Sequence, residues 1–283
     1  MRERDVVERT RGQPATVQSL SLDLAALGVM PGMVLLLHSS LSSLGWVCGG
    51  PMALILALEQ VLGPQGTLVM PTHCGDLSDP ANWKNPPVPE AWWDIIRKTM
   101  PPYDPDVTPT RGMGIIPETF RKQKGVLRSI HPQVSFAAWG AEAVRVTEGH
   151  SLDFGLGEAS PLARVYDLQG WVLLLGVGYE NNTSLHLAEY RASYPGRRAI
   201  EDGAPMLVDG QREWVKLQDI QVDDSDFKAI GSSFEQATGR VRHGHVAAAE
   251  AMLMPQRALV DYAVGWMERN RGGADHHDIA DSN

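Results

Sequence analysis

Apolar and polar positions alternate along the chain with two periods, and together they predict an α/β order. Val17 to Leu27 places apolar residues at helical spacing, the mark of a short amphipathic helix. Val34 to Leu37 is apolar throughout and reads as a buried strand. It runs into His38-Ser39-Ser40-Leu41-Ser42-Ser43-Leu44-Gly45, then Gly49-Gly50-Pro51, with the proline suited to a first helical turn. Met52 to Leu62 is the helix that follows, stopped by Gly63-Pro64, and Thr67 to Met70 is a second strand closed by Pro71. A longer apolar run, Trp171 to Val177, fits a strand buried on both faces. Four good cap residues follow it, Asn181-Asn182-Thr183-Ser184, and then a helical segment begins.

Between these blocks the pattern is less regular. Residues 71–110 are rich in proline, tryptophan and aspartate and read as a long irregular insertion, a lid candidate. A short helix is expected within 111–125, a strand at Ser135 to Trp139, a helix at Ala141 to Thr147, and another starting at Ser160-Pro161. Asp209-Gly210 flanked by Pro205 to Val208 and Glu213 to Ile220 signals a β-hairpin, a lobe over 200–222. Phe227 to Ala237 and Ala247 to Asn270 read as helical, the latter interrupted by Pro255. The fold expected is α/β: a central mixed, mostly parallel sheet flanked by helices, with the Pro/Trp-rich insertion and the C-terminal hairpin. The domain plan is a mobile lead-in over 1–16, one domain over 17–270 and a disordered tail over 271–283.

Composition narrows the function classes. A hydrophobic content of 43% and a charged content of 21% are ordinary for a globular protein. No apolar run is long enough to span a bilayer, and the N-terminal residues lack a signal-peptide core, so the expected location is cytoplasmic, with no membrane partner. Two cysteines cannot build a disulfide framework. The formal net charge of −9 argues against a nucleic-acid partner and favours a cationic small molecule. Monomer and homodimer both stay open.

The candidate chemistry lies where strands give way to helices, the usual place for ligands in open α/β sheets. On a helix, His186 shares a face with Glu189 and Tyr190, and a neutral imidazole there suits a general base. The alternative is a histidine that only caps or packs. His38-Ser39-Ser40 forms a loop whose amides and hydroxyls can cradle a pyrophosphate or polarise a carbonyl. It is neither a P-loop nor a dinucleotide fingerprint, and no G-x-S-x-G elbow exists, although Ser39 or Ser40 with His186 leaves a hydrolase formally open. His243 and His245 lack a sequence-local carboxylate or cysteine partner, so no metal is expected. His276 and His277 read as solvated tail residues, and Asp76, Asp79 and Asp219 read singly as surface acids.

In this setting the chain resembles the aminoglycoside 3-N-acetyltransferase family from about residue 17 to 265. The resemblance rests on L-L-L-H-S-S-L-S-S-L-G at 35–45, G-G-P at 49–51 and G-x-x-G-T-L-V-M-P-T at 63–72. It continues through T-P-T-R-G-M-G at 108–114, R-S-I-H-P-Q-V-S-F-A-A-W-G at 128–140, S-P-L-A-R-V-Y at 160–166 and L-L-L-G-V-G-Y-E-N-N-T-S-L-H-L-A-E-Y at 173–190. The resemblance implies acetyl transfer from acetyl-CoA, without a metal, to the 3-amino group of an aminoglycoside. It implies that His186 is the base and Asp219 its acidic partner. His38, which also stands as a catalytic candidate, Ser39, Ser40 and Leu41 fall on the CoA and thioester loop, with Thr110, Met113 and Gly114 along the CoA arm. Asp76 is the better match for an aminoglycoside contact, with Asp79, Glu189 and Asp219 as further candidates. Acetylation of another small amine, a CoA-binding module and a Ser-dependent thioester hydrolase are the competing readings.

Overall fold

The structure is a computed structural model that describes residues 6–8, 10 and 12–272. In chain order the first half runs α1 (Val17–Leu27), β1 (Val34–Ser39), α2 (Gly50–Leu62), β2 (Thr67–Pro71), α3 (Trp93–Thr99), α4 (Ile115–Phe120), β3 (Leu127–Arg128) and β4 (Phe136–Gly140). The second half runs α5 (Ala143–Thr147), α6 (Pro161–Asp167), β5 (Trp171–Leu175), α7 (Ser184–Arg191), β6 (Ala199–Val208) and β7 (Gln211–Ile220). It closes with α8 (Phe227–Thr238), β8 (Arg242–Val246), β9 (Ala249–Pro255) and α9 (Gln256–Asn270).

Seven strands form one mixed sheet in the order β3-β4-β2-β1-β5-β9-β8. Parallel pairing is confined to the centre, β2 with β1 and β1 with β5; the pairings outside it are antiparallel. Strand periodicity explains why the central sequences are apolar without alternation. Leu35, Leu37, Leu68, Met70, Leu173 and Leu175 feed a core on one face with α1 and α2. Leu36, Val69, Val172 and Leu174 feed a second core on the other face with α6, α7, α8 and α9. Both faces are therefore buried, and a strand with two dry faces has no polar position to spare.

Three local readings need correction. Ala247 to Pro255 is not the first half of a helix: Ala249–Pro255 is a strand inserted between β5 and β8. Its composition suits a helix, but Ala249, Ala251 and Leu253 face one core and Met254 the other, and burial at period two overrides propensity. The insertion is not wholly irregular, since it contains α3. The hairpin is longer than its turn-flanking residues suggest, pairing Ala199 with Ile220 at its open end and turning at Asp209-Gly210, both at positive φ.

The insertion is fastened to the hairpin and to the sheet. Asp79 N donates to Asp202 Oδ1 at 2.7 Å, Tyr103 N to Pro205 O at 2.8 Å and Arg212 Nε to Met100 O at 2.8 Å. Arg128 on β3 donates to Thr108 O at 2.6 Å and to Thr72 O at 2.8 Å, joining the insertion to the end of β2. At the N-terminal end, Ala15 is buried and bridges to Val47, and Thr10 Oγ1 accepts from Trp46 N at 2.7 Å, so these residues of the expected lead-in are part of the packed body. The expected disordered tail lies outside the described residues from 273 onward, and His276 and His277 with it. Arg271, at its start, is ordered by ion pairs described below. No helix among the described residues is long and apolar enough to cross a membrane.

Candidate active site

The carboxyl ends of β2, β1 and β5 lie side by side, and the chain leaves each through a turn that carries polar groups. After β5, Tyr179–Asn181 makes one 3₁₀ turn, and the buried Asn182 accepts from Ser184 N at 3.1 Å, starting α7. The cap position itself, Thr183, makes no side-chain cap bond, and Asn182 closes the turn before it instead. One turn in, His186 Nδ1 and Glu189 Oε2 are 2.6 Å apart, the i,i+3 spacing of a helix face. The His186 side chain keeps 14% of its surface exposed, and its ring packs edge-on against Phe227 at 4.8 Å between centroids.

Glu189 corrects two expectations. Asp219 is not the carboxylate on His186; Glu189 is, and it is fully buried. Nor is Glu189 free for substrate. Its other oxygen accepts from Arg271 Nη1 at 2.7 Å and from Asp223 N at 2.8 Å. Arg271 in turn grips Asp226 through two bonds of 2.8 and 2.7 Å. Asp219 instead accepts from Tyr190 Oη and from Ile220 N at 2.7 Å, and burial raises its proton affinity. Its place is the seam between α7 and the hairpin.

Nδ1 must carry a proton to donate to Glu189, which leaves the Nε2 lone pair as the basic atom of His186. Two more imidazoles share this edge of the sheet. His38, the last buried residue of β1, shares a 3.2 Å hydrogen bond between its Nε2 and Thr183 Oγ1. Burial, with a smaller effect of a charge on His186, pushes it down to about 3. His73 follows β2 and is likewise pushed down to about 3, by burial first and by His186 and His38 next. Its Nε2 is sealed from solvent without a hydrogen-bond partner among the described residues. Sequence reasoning missed His73, although its position just past the carboxyl end of a central strand was available as a signal. Of these three, only His186 has a carboxylate against its ring.

Two cavities open on the same edge. The first, about 570 Å³, is bordered by Ser39, Ser40, Leu41 and Trp46 on one side and by Met113 and Gly114 on the other. The two stretches expected to hold one ligand therefore face each other. Gly112 and Gly114 take positive φ, +72° and +83°, and a Cβ on either would meet nothing within 4 Å, so bare backbone borders this cavity. Thr110 is not at it: its amide and hydroxyl both donate to Glu118 Oε2 at 2.9 Å, which makes it a brace for the turn. His38 also lies outside its lining. Neither Ser39 nor Ser40 bonds His186: Ser40 Oγ lies 3.2 Å from Ser42 Oγ, and Ser39 Oγ is buried without a partner among the described residues. The nucleophile–base contact of a serine hydrolase is therefore not formed.

The second cavity, about 730 Å³, is lined by His73, Asp76, Trp83, Lys84 and Arg111 among others. Asp76 forms an ion pair with Arg111, both about half exposed at 54% and 63% of their side chains. Asp79 is not at this cavity. It accepts from Arg97 at 2.6 and 2.9 Å and from Ala81 N at 2.9 Å. Burial opposes its ionisation, but these bonds outweigh it and hold the carboxyl below its usual range. Outside the site, His243 is held by Glu235 at 2.5 Å.

Residues 36–268 match the family described as aminoglycoside 3-N-acetyltransferase. The SPbeta prophage-derived aminoglycoside N(3')-acetyltransferase-like protein YokD of Bacillus subtilis (strain 168) is 46% identical over 258 residues, 91% of this chain and 94% of that protein. Its crystal structure superposes with a TM-score of 0.91 at 45% identity, covering 94% of this chain and 98% of that one. Aminoglycoside N(3)-acetyltransferase VII of Streptomyces paromomycinus is 38% identical over 96% of this chain and 98% of that protein. The binary structure of AAC-IIIb with CoASH superposes with a TM-score of 0.82 at 34% identity, covering 92% of this chain and 98% of that one. At this identity and coverage the chain belongs to the aminoglycoside 3-N-acetyltransferase family.

Proposed function

We propose that this protein moves the acetyl group of acetyl-CoA onto the 3-amino group of an aminoglycoside, by direct transfer with His186 as general base. The observation that carries the reading is the His186–Glu189 pair, in electrostatic reach of His38, which precedes the Ser39 to Leu41 border of the first cavity, and of His73, which lines the second, in a chain of this family. CoA would lie in the cavity bordered by Ser39 to Leu41 and Gly112 to Gly114, where serine hydroxyls and bare glycine backbone suit phosphate and pantetheine. The aminoglycoside would enter by the cavity of His73 and Asp76, since His73 lies within electrostatic reach of His186.

An aminoglycoside amine is mostly protonated at neutral pH and is then no nucleophile. The ammonium first gives one proton to solvent; His186 Nε2 then takes the second proton from nitrogen as the neutral amine attacks the thioester carbonyl; the C–N bond forms, an oxyanion develops, and the C–S bond breaks. Glu189 stabilises the imidazolium in between, and Arg271 holds Glu189 in place. Donors of the Ser39 to Leu41 loop are suited to the oxyanion. The proton on His186 then passes to the thiolate of CoA, so no covalent enzyme intermediate is needed.

The test is release of free thiol from acetyl-CoA with a panel of aminoglycosides, with the acetylated position mapped in the product. Turnover at the 3-amino group, with His186→Ala lowering kcat by several orders of magnitude and leaving CoA affinity nearly unchanged, is the expected result. Turnover of a different amine would keep the fold and donor and replace the acceptor. A loss of only a few-fold in His186→Ala would remove the base assignment.

A further inference from the structure

The cavity assigned to CoA has a charge problem. CoA carries a pyrophosphate and a 3'-phosphate, yet among the described residues no lysine or arginine lines this cavity. Among the described residues, Arg111 stands next to its wall: its neighbour Gly112 borders the cavity while Arg111 itself lines the second one. The stretch from Arg111 to Gly114 is thus the partition between the two cavities, and Arg111 stands on it with its head turned to Asp76. Its backbone is fixed, because Arg111 N donates to His73 O at 2.9 Å. An exchange of partners by Arg111 is therefore a rotation of the side chain about a fixed backbone.

The Asp76–Arg111 pair is suited to being exchanged. Both partners are about half exposed, and an ion pair in water contributes little net stability. By contrast Asp79 and Arg97, in the same insertion, are substantially buried at 19% and 31% exposure and bonded twice. An arriving ammonium can compete for Asp76 at small cost. An arginine released beside phosphates gains a planar, charge-assisted contact that its fork geometry suits.

We propose that Arg111 is a positioning residue that exchanges partners during assembly of the ternary complex: an ammonium group of the acceptor takes Asp76, and Arg111 turns to the phosphates of CoA. This rests on the reading of the two cavities as acceptor and donor sites. The exchange couples the two ligands, so each binds more tightly when the other is present, by the same factor. It also gives Asp76 two functions, recognition of a cation and release of Arg111.

The experiment is calorimetric binding of CoA, which cannot react, with and without saturating kanamycin, in the intact protein and four variants. In the unaltered protein, kanamycin is expected to tighten CoA by about tenfold, within the usual range of such couplings. Arg111→Gln should reduce that factor to near one, whereas Arg111→Lys should keep part of it. Asp76→Asn should tighten CoA without any aminoglycoside, and combining it with Arg111→Gln should abolish that gain. Pantetheine, which lacks the phosphates, should bind alike to all variants, a control that a structural disturbance would fail. The exchange is refuted if coupling persists in Arg111→Gln, since the acceptor's own charge would then be its source. It is equally refuted if Asp76→Asn leaves CoA affinity unchanged. If kanamycin and its relatives neither bind nor react, the acceptor assignment fails. The Asp76→Asn comparison of CoA with pantetheine still decides the position of Arg111.

Discussion

Replacing Glu189 by glutamine is the sharpest test of the site, because it changes charge and tautomer at nearly constant volume. Glu189 Oε2 lies 2.6 Å from His186 Nδ1 with no solvent on the carboxylate. A unit-charge pair about 4 Å apart is worth about 4 kcal/mol at an effective dielectric near 20. Arg271 shares the carboxylate and takes part of its field, so the net stabilisation of imidazolium is smaller, about 2–4 kcal/mol. That corresponds to a loss of about 30- to 1000-fold in kcat/KM for Glu189→Gln. A second effect works in the same direction. The glutamine amide can present its NH₂ to Nδ1, which would place the imidazole proton on Nε2 and block the basic atom.

The assay is steady-state thiol release with acetyl-CoA and an accepted aminoglycoside, together with CoA affinity by calorimetry and a thermal melt. The melt matters because Arg271 loses one of its two carboxylate partners and the variant will be less stable. The expected pattern is a large fall in kcat with CoA affinity within a few-fold of the original. A folded Glu189→Gln protein that keeps kcat/KM within five-fold would refute the argument that this carboxylate supports the base.

Other expectations follow from the same geometry. Asp219→Asn should leave kcat/KM within about three-fold, since Asp219 bonds Tyr190 and backbone rather than His186; a collapse of turnover there with mild effects at Glu189 would reverse the assignment. Gly112→Ala should fold with a penalty of about 1 kcal/mol for its left-handed φ and raise KM for acetyl-CoA about tenfold with little change in kcat, by steady-state kinetics. Burial pushes His38, His73 and His131 down to about 3 and His150 to about 4, below the ordinary value of 6.5. Below that ordinary value the unfolded chain takes up protons that the folded chain refuses, so stability is full above pH 6.5 and falls as pH drops toward 4. Each such histidine contributes a slope of about 1.4 kcal/mol per pH unit. A denaturation midpoint that stays flat between pH 7 and 5 would contradict this.

The central strands were legible because burial on both faces leaves an unmistakable apolar run, and the strand-to-helix turns because cap residues and Gly-Pro pairs punctuate them. β9 was not, because Ala-Glu-Ala-Met-Leu-Met suits either structure and only its two neighbouring strands decide between them. The insertion hid α3 for a different reason: its tryptophans and prolines signal turns, while the bonds that order it come from Asp202, Pro205 and Arg212 on a hairpin more than a hundred residues away.

The same contrast runs through the site. His186 and the Ser39 to Leu41 loop stand out because local sequence delivers them to the carboxyl edge of the sheet. The partner of His186 was equally local, three residues on along one helix face, yet the family pattern pointed to the distant Asp219. What sequence could not supply was the reason Glu189 can be buried at all. That reason is Arg271, in a stretch whose composition reads as a tail, together with the amide of Asp223. A carboxylate with no solvent exposure needs compensating partners, and here two of its three, Arg271 and the Asp223 amide, come from segments that meet the helix only after folding. The His186–Glu189 pair is therefore a local motif held in place by tertiary structure. For that reason Arg271→Ala, which touches neither ligand nor His186, should cost both stability and turnover, whereas Arg271→Lys should restore part of each.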